Sequence, residues 1–260
     1  MTPATRPPSR CAAYVLLVLA GLAGGVSQTA FTLFIFFGSL DLVDLGMDEN
    51  ARLWLDACLS LAFFLQHSTM IRRPYRRSLS KLLRADYHGA LYTIASGVVL
   101  FTVVVLWQGS ATTLAAPQGL LRWLMRAVFF LSGAGFLWAL GALRAFDAFG
   151  VQPLLHHLRG TTPPQSPFLI RGPYRWVRHP LYWFTLLMFW SCPDVTVDRL
   201  LFNVLWSLWV ILGTLLEERD LTADFGDAYR SYQREVPMLI PWRIPRRPGK
   251  GPTKGRLTPS

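Results

Sequence analysis

Long apolar runs separated by short charged loops constrain this chain more than any other feature of its sequence. The first run, residues 12–38, contains no charged side chain. A helix needs roughly 20 apolar residues to cross a bilayer, and only helices and closed barrels satisfy their backbone hydrogen bonds inside lipid. The pattern therefore predicts an all-α, polytopic integral membrane helical bundle.

Six such segments follow one another, at residues 12–38, 53–69, 89–107, 120–143, 181–192 and 200–216. The fifth is short and is stopped by Pro193, so we expect it to form a tight hairpin with the sixth, to tilt into the protein, or to extend back through Tyr174. The first segment is longer than the roughly 7–15 apolar residues of a signal peptide and is expected to be retained. About six spans are predicted, the last two as a C-terminal helical hairpin.

Composition favours a membrane protein over a soluble one. The chain is 16% charged, against about 25% in typical soluble domains. Its net charge of +11 is attributed to basic cytoplasmic loops, because no nucleic-acid-binding module accompanies it. The cysteines lack metal-ligand spacing and His156–His157 is a weak signal, so we expect no disulfide framework, metal, nucleic acid or obligate protein partner.

The loop charges predict the orientation. Basic residues concentrate before the first segment, in the second and fourth loops and after the sixth segment, whereas the other loops are acidic or almost uncharged. Because cytoplasmic loops carry the excess of Lys and Arg, both termini are predicted to be cytoplasmic, in a bacterial inner membrane. The predicted parts are an N-terminal segment (1–11), N-terminal membrane helices (12–158), a C-terminal region with the fifth and sixth segments (159–242) and a basic disordered tail (243–260).

Two ionisable clusters flank the last hairpin: RGPYRWVRHPLYW at residues 171–183 and EERD at residues 217–220. Because both ends of a returning hairpin face the same side of the membrane, the two clusters are predicted to lie near each other. Charges at membrane depth are costly and therefore indicate function. Arg178 or His179 would meet a carboxylate, and Glu217 an ammonium group or ribose hydroxyls. Flat surfaces for a purine are offered by Tyr174, Tyr182, Phe225, Tyr229 and Tyr232. These handles match S-adenosylmethionine, while anchoring of the helix ends to lipid headgroups is the open alternative.

The first cluster, followed by EERDLTADFGDAYRSYQREVPMLIP, resembles the C-terminal signature of the isoprenylcysteine carboxyl methyltransferase family, whose superfamily includes phospholipid methyltransferases and NnrU-like proteins. Upstream, QHSTMIRRPYRR and FDAFGVQPLLHHLRG resemble the bacterial methanethiol S-methyltransferases. Together the stretches span most of the chain. The resemblance implies a membrane methyltransferase that uses S-adenosylmethionine, with residues 159–242 as its cofactor region.

The resemblance also implies which residues hold the methyl donor. The family uses the loop before the RHPxY-like motif, the motif itself and a glutamate after the last helix. The matching positions here are Leu169, Tyr174, His179, Pro180, Leu181, Tyr182 and Glu217. Their neighbours Arg178, Glu218 and Tyr229 are predicted to contribute to the same site.

The methyl acceptor is less constrained. Isoprenylcysteine enzymes carry a substrate-contacting arginine one turn before the glutamate, where this chain has Gly213, which favours a small or neutral acceptor such as methanethiol. Tyr182 points the other way, because it matches the general superfamily pattern, whereas methanethiol enzymes often have another residue at this position. Carboxyl or phospholipid methylation, an NADPH-dependent reductase of the sterol-reductase type and a non-enzymatic NnrU-like protein are the alternatives.

A thiol acceptor would need a base or a cation nearby, because the thiolate is the nucleophile and the pKa of a free thiol is about 8.5. The predicted catalytic residues are His67, Asp147 and Arg178. A structural role is the alternative for the first two: His67 would cap or pack a helix end, and Asp147 would pair with Arg144. Asp56 and Arg126, inside apolar segments, are expected to face each other or an outer loop.

Overall fold

The computed structural model describes residues 10–143, 147, 149–161 and 170–243. Leu169, Arg144 and residues 244–260 of the basic tail lie outside the described residues. Helices account for most of what is described, so the predicted all-α fold is confirmed.

The α-helices of the described ranges are α1 (Arg10–Phe37), α2 (Glu49–Ile71), α3 (Arg73–Leu79), α4 (His88–Leu106), α5 (Gly119–Ala142), α6 (Gln152–Arg159), α7 (Pro180–Phe189), α8 (Val197–Phe225) and α9 (Asp227–Glu235). Two 3₁₀ turns precede α4 and α7, at Ala85–Tyr87 and Gly172–Arg175. A short antiparallel pair joins β1 (Thr113–Ala115) to β2 (Val195–Thr196).

Four helical segments are long and apolar enough to cross a membrane: α1, the segment Ala85–Leu106 that contains α4, α5 and α8. The 23-residue α2 and the 10-residue α7 are not among them. The number of about six spans therefore stays a prediction, while the membrane class rests on these four segments.

The fifth apolar segment starts at Pro180 and does not extend back through Tyr174, which lies in a separate 3₁₀ turn. Proline is favoured in the first turn of a helix, where its missing N–H would have had no partner. It also disfavours helical geometry in the residue before it, and His179 has φ −123° and ψ 65°. The short α7 packs against α5 and α8, as the predicted hairpin requires.

The loops gather at two ends of the bundle in the order that the predicted topology requires. At one end β1 pairs with β2, and Trp107 Nε1 donates to Asp198 Oδ2 at 3.0 Å. At the other end Arg72, after α2, forms an ion pair of 3.2 Å with Asp220, near the end of α8. We call this second end, which also holds both ionisable clusters, the basic end. Its cytoplasmic location stays a prediction.

The buried charges at the opposite end bind loops and helix ends rather than each other. Asp56 is fully buried and accepts from the backbone N–H of Gln108 at 3.0 Å. Arg126 donates to the carbonyl of Phe36, and its guanidinium lies 4.0 Å from the centre of that ring. Asp56 thus faces a loop, as one alternative predicted, and the Asp56–Arg126 pairing is wrong; the outer location of that loop stays a prediction.

Aromatic packing holds α8 against α2 and α1. Trp206 stacks on Phe63 of α2 at 5.1 Å and contacts Phe31 of α1 at 4.8 Å. On the other side of the bundle, α1 and α4 approach closely, because Gly97 has no side chain: a Cβ there would lie 2.7 Å from the carbonyl oxygen of Ala23. Small residues of this kind allow membrane helices to pack backbone to backbone.

Gly97→Ala is expected to force α1 and α4 apart and to destabilise the fold by about 1–3 kcal/mol, the usual cost of overpacking. Thermal unfolding of the purified protein in detergent measures this loss. Gly133→Ala in α5 is the matched control, because a Cβ at that helical glycine meets no atom within 4 Å. Equal unfolding temperatures for the two variants would contradict the close approach of α1 and α4.

Candidate functional site

The stretch before α7 is shaped by a glycine turn that docks on α5. Gly172 has φ +52°, a left-handed conformation that glycine adopts without strain. It lies against α5, since a Cβ there would be 3.2 Å from the Cβ of Ala142. Trp176 then packs edge-on against Trp138 of α5 at 5.1 Å. The turn therefore presents Tyr174 and the RHP motif (residues 178–180) at the basic end of the bundle.

The chain after α9 folds back along the RHP motif. The backbone N–H of Arg178 donates to the carbonyl of Pro237 at 2.9 Å, and that of His179 donates to Met238 at 3.1 Å. The hydroxyl of Tyr232 donates to the carbonyl of Tyr174. The first ionisable cluster is thus joined by hydrogen bonds to the segment of the chain that follows α8.

Glu218 is the centre of this assembly. Its Oε1 accepts from Arg178 Nε at 2.8 Å, His179 Nε2 at 2.7 Å and the Tyr229 hydroxyl at 2.7 Å. Its Oε2 accepts from Arg178 Nη2 at 2.9 Å and Gln233 Nε2 at 2.6 Å. A carboxylate offers about four lone-pair sites, so five donors saturate it.

These bonds define the roles of three predicted cofactor residues. Glu218 is only 7% exposed, and Nη1 of Arg178 donates to the carbonyls of Gln233 and Val236. Burial, and then the hydrogen bond to Glu218, raise the pKa of Tyr229, so its hydroxyl remains a donor. The contacts of Arg178, Glu218 and Tyr229 therefore hold the site together rather than face an incoming molecule.

His179 is held in one orientation by the same carboxylate. Because Nε2 donates to Glu218, it carries a proton in either charge state of the ring. The ring stacks on Tyr182, with 5.6 Å between ring centres and 13° between planes. Its other nitrogen, Nδ1, lies 3.7 Å from Glu217 Oε2. His179 thus links the buried Glu218 to the more exposed Glu217.

Glu217 keeps hydrogen-bonding capacity for a ligand. Its Oε2 accepts from the Tyr182 hydroxyl at 2.7 Å, its side chain is 42% exposed, and within the described residues Oε1 accepts no hydrogen bond. The Tyr174 hydroxyl likewise bonds to no described residue. Burial, and then the charge of Glu217, raise the pKa of Tyr174, which keeps this hydroxyl protonated.

Pro180 and Leu181 contribute backbone geometry rather than polar groups. Pro180 is buried and begins α7, and the carbonyl of the half-buried Leu181 accepts from Thr185 Oγ1 at 2.9 Å. Their placement at the start of the helix sets the direction in which Tyr182 projects.

His67 lies in an aromatic pocket beside Tyr92, a residue that sequence reasoning missed. The Tyr92 hydroxyl is 2.7 Å from His67 Nε2 and 3.0 Å from Nδ1. The imidazole packs against Phe63 and Trp209, with ring centres 5.1 and 5.3 Å away. Tyr92 is also an electrostatic neighbour of Tyr182. Within the described residues no hydrogen bond joins Tyr92 to Tyr182, so the place of His67 in the site stays a prediction.

Asp147 has a local partner instead. Its Oδ2 accepts from the backbone N–H of Gln152 at 2.6 Å, at the start of α6. Within the described residues its side chain makes no contact with Glu217, Tyr182 or His67. Its predicted pairing with Arg144 lies outside the described residues. The structure thus brings together Tyr174, His179, Tyr182 and Glu217, places His67 beside Tyr92, and leaves Asp147 apart.

Comparison with known proteins places this sequence in a family. A methanethiol S-methyltransferase from Pseudomonas sp. strain GM41(2012) is 33% identical over 267 residues, covering 96% of this chain and 99% of the relative. One from Pseudomonas deceptionensis is 34% identical and covers 78% of both chains. The chain belongs to the methanethiol S-methyltransferase family. No family model matches it, and no solved structure does.

A less similar relative does not carry the name methanethiol S-methyltransferase. Nurim from Rattus norvegicus is 28% identical over 187 residues, covering 66% of this chain and 68% of nurim. It belongs to the same isoprenylcysteine methyltransferase-like family. The resemblance expected from the RHP and EERD clusters is thereby confirmed.

Glu218→Gln is expected to destabilise the protein by about 3–5 kcal/mol, because it leaves the Arg178 guanidinium buried without its counter-charge. Thermal unfolding in detergent measures the loss, and limited proteolysis would detect release of the segment after α9. Glu217→Gln is the matched control, since its half-exposed side chain has only Tyr182 as a hydrogen-bond donor among the described residues. Equal stability of the two variants would contradict the central role of Glu218.

Proposed function

We propose that the protein is an integral-membrane, S-adenosylmethionine-dependent methyltransferase that S-methylates a small thiol such as methanethiol. The observation that carries the proposal is the half-exposed Glu217 carboxylate, with one oxygen unbonded among the described residues, beside the stacked His179 and Tyr182 rings. The names of the curated relatives support the acceptor. We place the protein in a bacterial inner membrane with its basic end, and both termini, in the cytoplasm.

The residues present fit the methyl donor. Glu217 would accept from its ammonium group or from ribose hydroxyls, and the Tyr174 hydroxyl offers a further polar contact. The Tyr174 and Tyr182 rings offer aromatic surfaces for the adenine and the sulfonium. When bound, S-adenosylmethionine supplies a methyl group on a sulfonium, which is a good leaving group. The chain then has mainly to bind, align and deprotonate.

The reaction is an in-line displacement. The thiolate sulfur forms a bond to the methyl carbon while the bond from that carbon to the sulfonium sulfur breaks, and its electron pair stays on the departing sulfur. The products are a methyl thioether and S-adenosylhomocysteine. The thiol proton must leave first, since the thiol is a far weaker nucleophile than the thiolate.

His67 is the proposed acceptor of that proton. Its ring is half-buried among aromatic side chains, and the Tyr92 hydroxyl orients it. In the neutral ring, the nitrogen that carries the proton would donate to the Tyr92 oxygen, which leaves the other nitrogen to accept the thiol proton. Among the three predicted catalytic residues, Arg178 is committed to Glu218 and Asp147 to the start of α6, which favours His67.

The space beside Glu217 suits a small acceptor. Gly213 lies one helical turn before Glu217, and a Cβ at this position would meet no atom within 4 Å. An acceptor with a carboxylate would find no cation at that position, whereas a small neutral thiol requires none. Carboxyl or phospholipid methylation is therefore the second choice, and it predicts transfer to those acceptors but not to methanethiol.

Glu217→Gln is expected to weaken binding of S-adenosylmethionine by about 10–100-fold, the effect of losing one charge-assisted hydrogen bond. Isothermal titration of the purified protein in detergent measures the dissociation constant. Glu235→Gln, an exposed carboxylate on α9, is the matched control and should bind as the wild type does. Binding of NADPH with none of the methyl donor would overturn the proposal in favour of a reductase.

His67→Gln is expected to lower kcat for methanethiol methylation by about a hundredfold or more near neutral pH, the contribution of a general base. The donor dissociation constant should not change. The rate of the variant should rise steadily as the pH approaches the pKa of the free thiol, because the acceptor then ionises without a base. The control Thr69→Ala alters an exposed residue on the same helix and should keep the wild-type kcat. A variant with wild-type kcat and pH profile would exclude His67 as the base.

A further inference from the structure

A second polar cavity lies at the basic end, away from Glu217. It has a volume of about 310 Å³ and is bounded by the first turn of α1, the 3₁₀ turn before α4 and the C-terminal end of α6. Arg10, Tyr87, His157 and Arg159 contribute its polar lining. Ala13 and Leu158 contribute an apolar part. None of these residues takes part in the methyltransferase site described above.

The cavity carries positive charge that no described residue neutralises. Neither Arg10 nor Arg159 forms an ion pair with a described residue. Asp86, the carboxylate next to Tyr87, is engaged by Arg84 Nη2 at 2.9 Å and lies 3.5 Å from His157 Nδ1. An anion would therefore be attracted to this cavity.

His157 supplies a hydrogen-bond donor of defined direction. Its Nδ1 lies 3.1 Å from Arg84 Nη2, and a guanidinium has only donors, so Nδ1 accepts and the proton of the neutral ring resides on Nε2. Protonation of the ring leaves that Nε2–H in place. Within the described residues Nε2 has no partner, so it is available to an acceptor in the cavity.

Tyr87 adds an independent observation that points to a ligand. Its side chain is 7% exposed, and its hydroxyl is buried without a hydrogen-bond partner in the described structure. Buried hydroxyl groups are almost always bonded. A phosphate oxygen in the cavity would accept from Tyr87, from His157 Nε2 and from the two arginines.

We propose that this cavity binds the phosphate of a membrane phospholipid headgroup. Arg10 begins α1, Tyr87 lies near the start of the apolar segment Ala85–Leu106, and both segments are long enough to cross the bilayer. The ends of such segments lie at the depth of the lipid phosphates. Ala13 and Leu158 would contact the glycerol and the first methylenes, which inorganic phosphate lacks.

The test measures lipid binding to the full chain in detergent by native mass spectrometry and thermal shift. The probes are short-chain phosphatidylglycerol, a diacylglycerol with the same chains, and inorganic phosphate. We expect binding of the phospholipid and none of the diacylglycerol. Tyr87→Phe, which removes only the hydroxyl, and Arg10→Gln with Arg159→Gln should each weaken it by about tenfold.

Arg76→Gln is the control, because it removes an exposed positive charge at the same end without touching the cavity. An equal loss in the control, or unchanged binding in Tyr87→Phe, would reduce the effect to general attraction and overturn the site. Tight binding of inorganic phosphate without the phospholipid would overturn the lipid assignment. These readouts do not depend on methyl transfer, so they stand or fall separately from the proposed function.

Discussion

A buried carboxylate with five donors is the interaction on which the rest of this end of the molecule depends. Glu218 lies where water is scarce, and a charge there is tolerated only when it is paired and fully hydrogen-bonded. The donors come from the RHP motif and from α9, so satisfying one group brings three parts of the chain together. Specific geometry, more than net stability, is what such a buried pair supplies.

Adjacent glutamates have different surroundings because consecutive residues on a helix point about 100° apart. Glu218 faces the RHP motif and α9 and is saturated. Glu217 faces Tyr182 and keeps an oxygen unbonded among the described residues. His179 contacts both, with one ring nitrogen toward each. The buried Glu218 carboxylate therefore fixes the orientation of the His179 ring, which lies beside the more exposed Glu217 carboxylate.

The sequence was sufficient for the coarse features of the fold. Apolar runs of spanning length define α1, α4, α5 and α8, because the bilayer imposes a length and a composition that are visible residue by residue. The short helices α3, α6 and α9 and the β1–β2 pair carry no such signal. The span number stays open because α2 and α7 are less clear than the four long segments.

For the site, the sequence indicated which clusters meet but not which atoms remain available. Glu217 and Glu218 are chemically identical neighbours, so only three-dimensional contacts distinguish them. His67 was predicted to be a catalytic residue because it lies at the end of an apolar segment. Its partner Tyr92 lies 25 residues away, in another segment, where a single tyrosine resembles any interfacial aromatic residue. Pairing of this kind depends on how α2 and α4 pack.

The backbone bonds from Arg178 and His179 to Pro237 and Met238 have a consequence for biosynthesis. During translation, α7 and α8 are synthesised before residues 237 and 238. Until then the RHP motif lacks its backbone partners, and α9 is not yet available to complete the shell around Glu218. The residues around Glu217 and Glu218 are therefore ordered last, so a nascent chain that is stalled or truncated before this point lacks the assembled form of the proposed site.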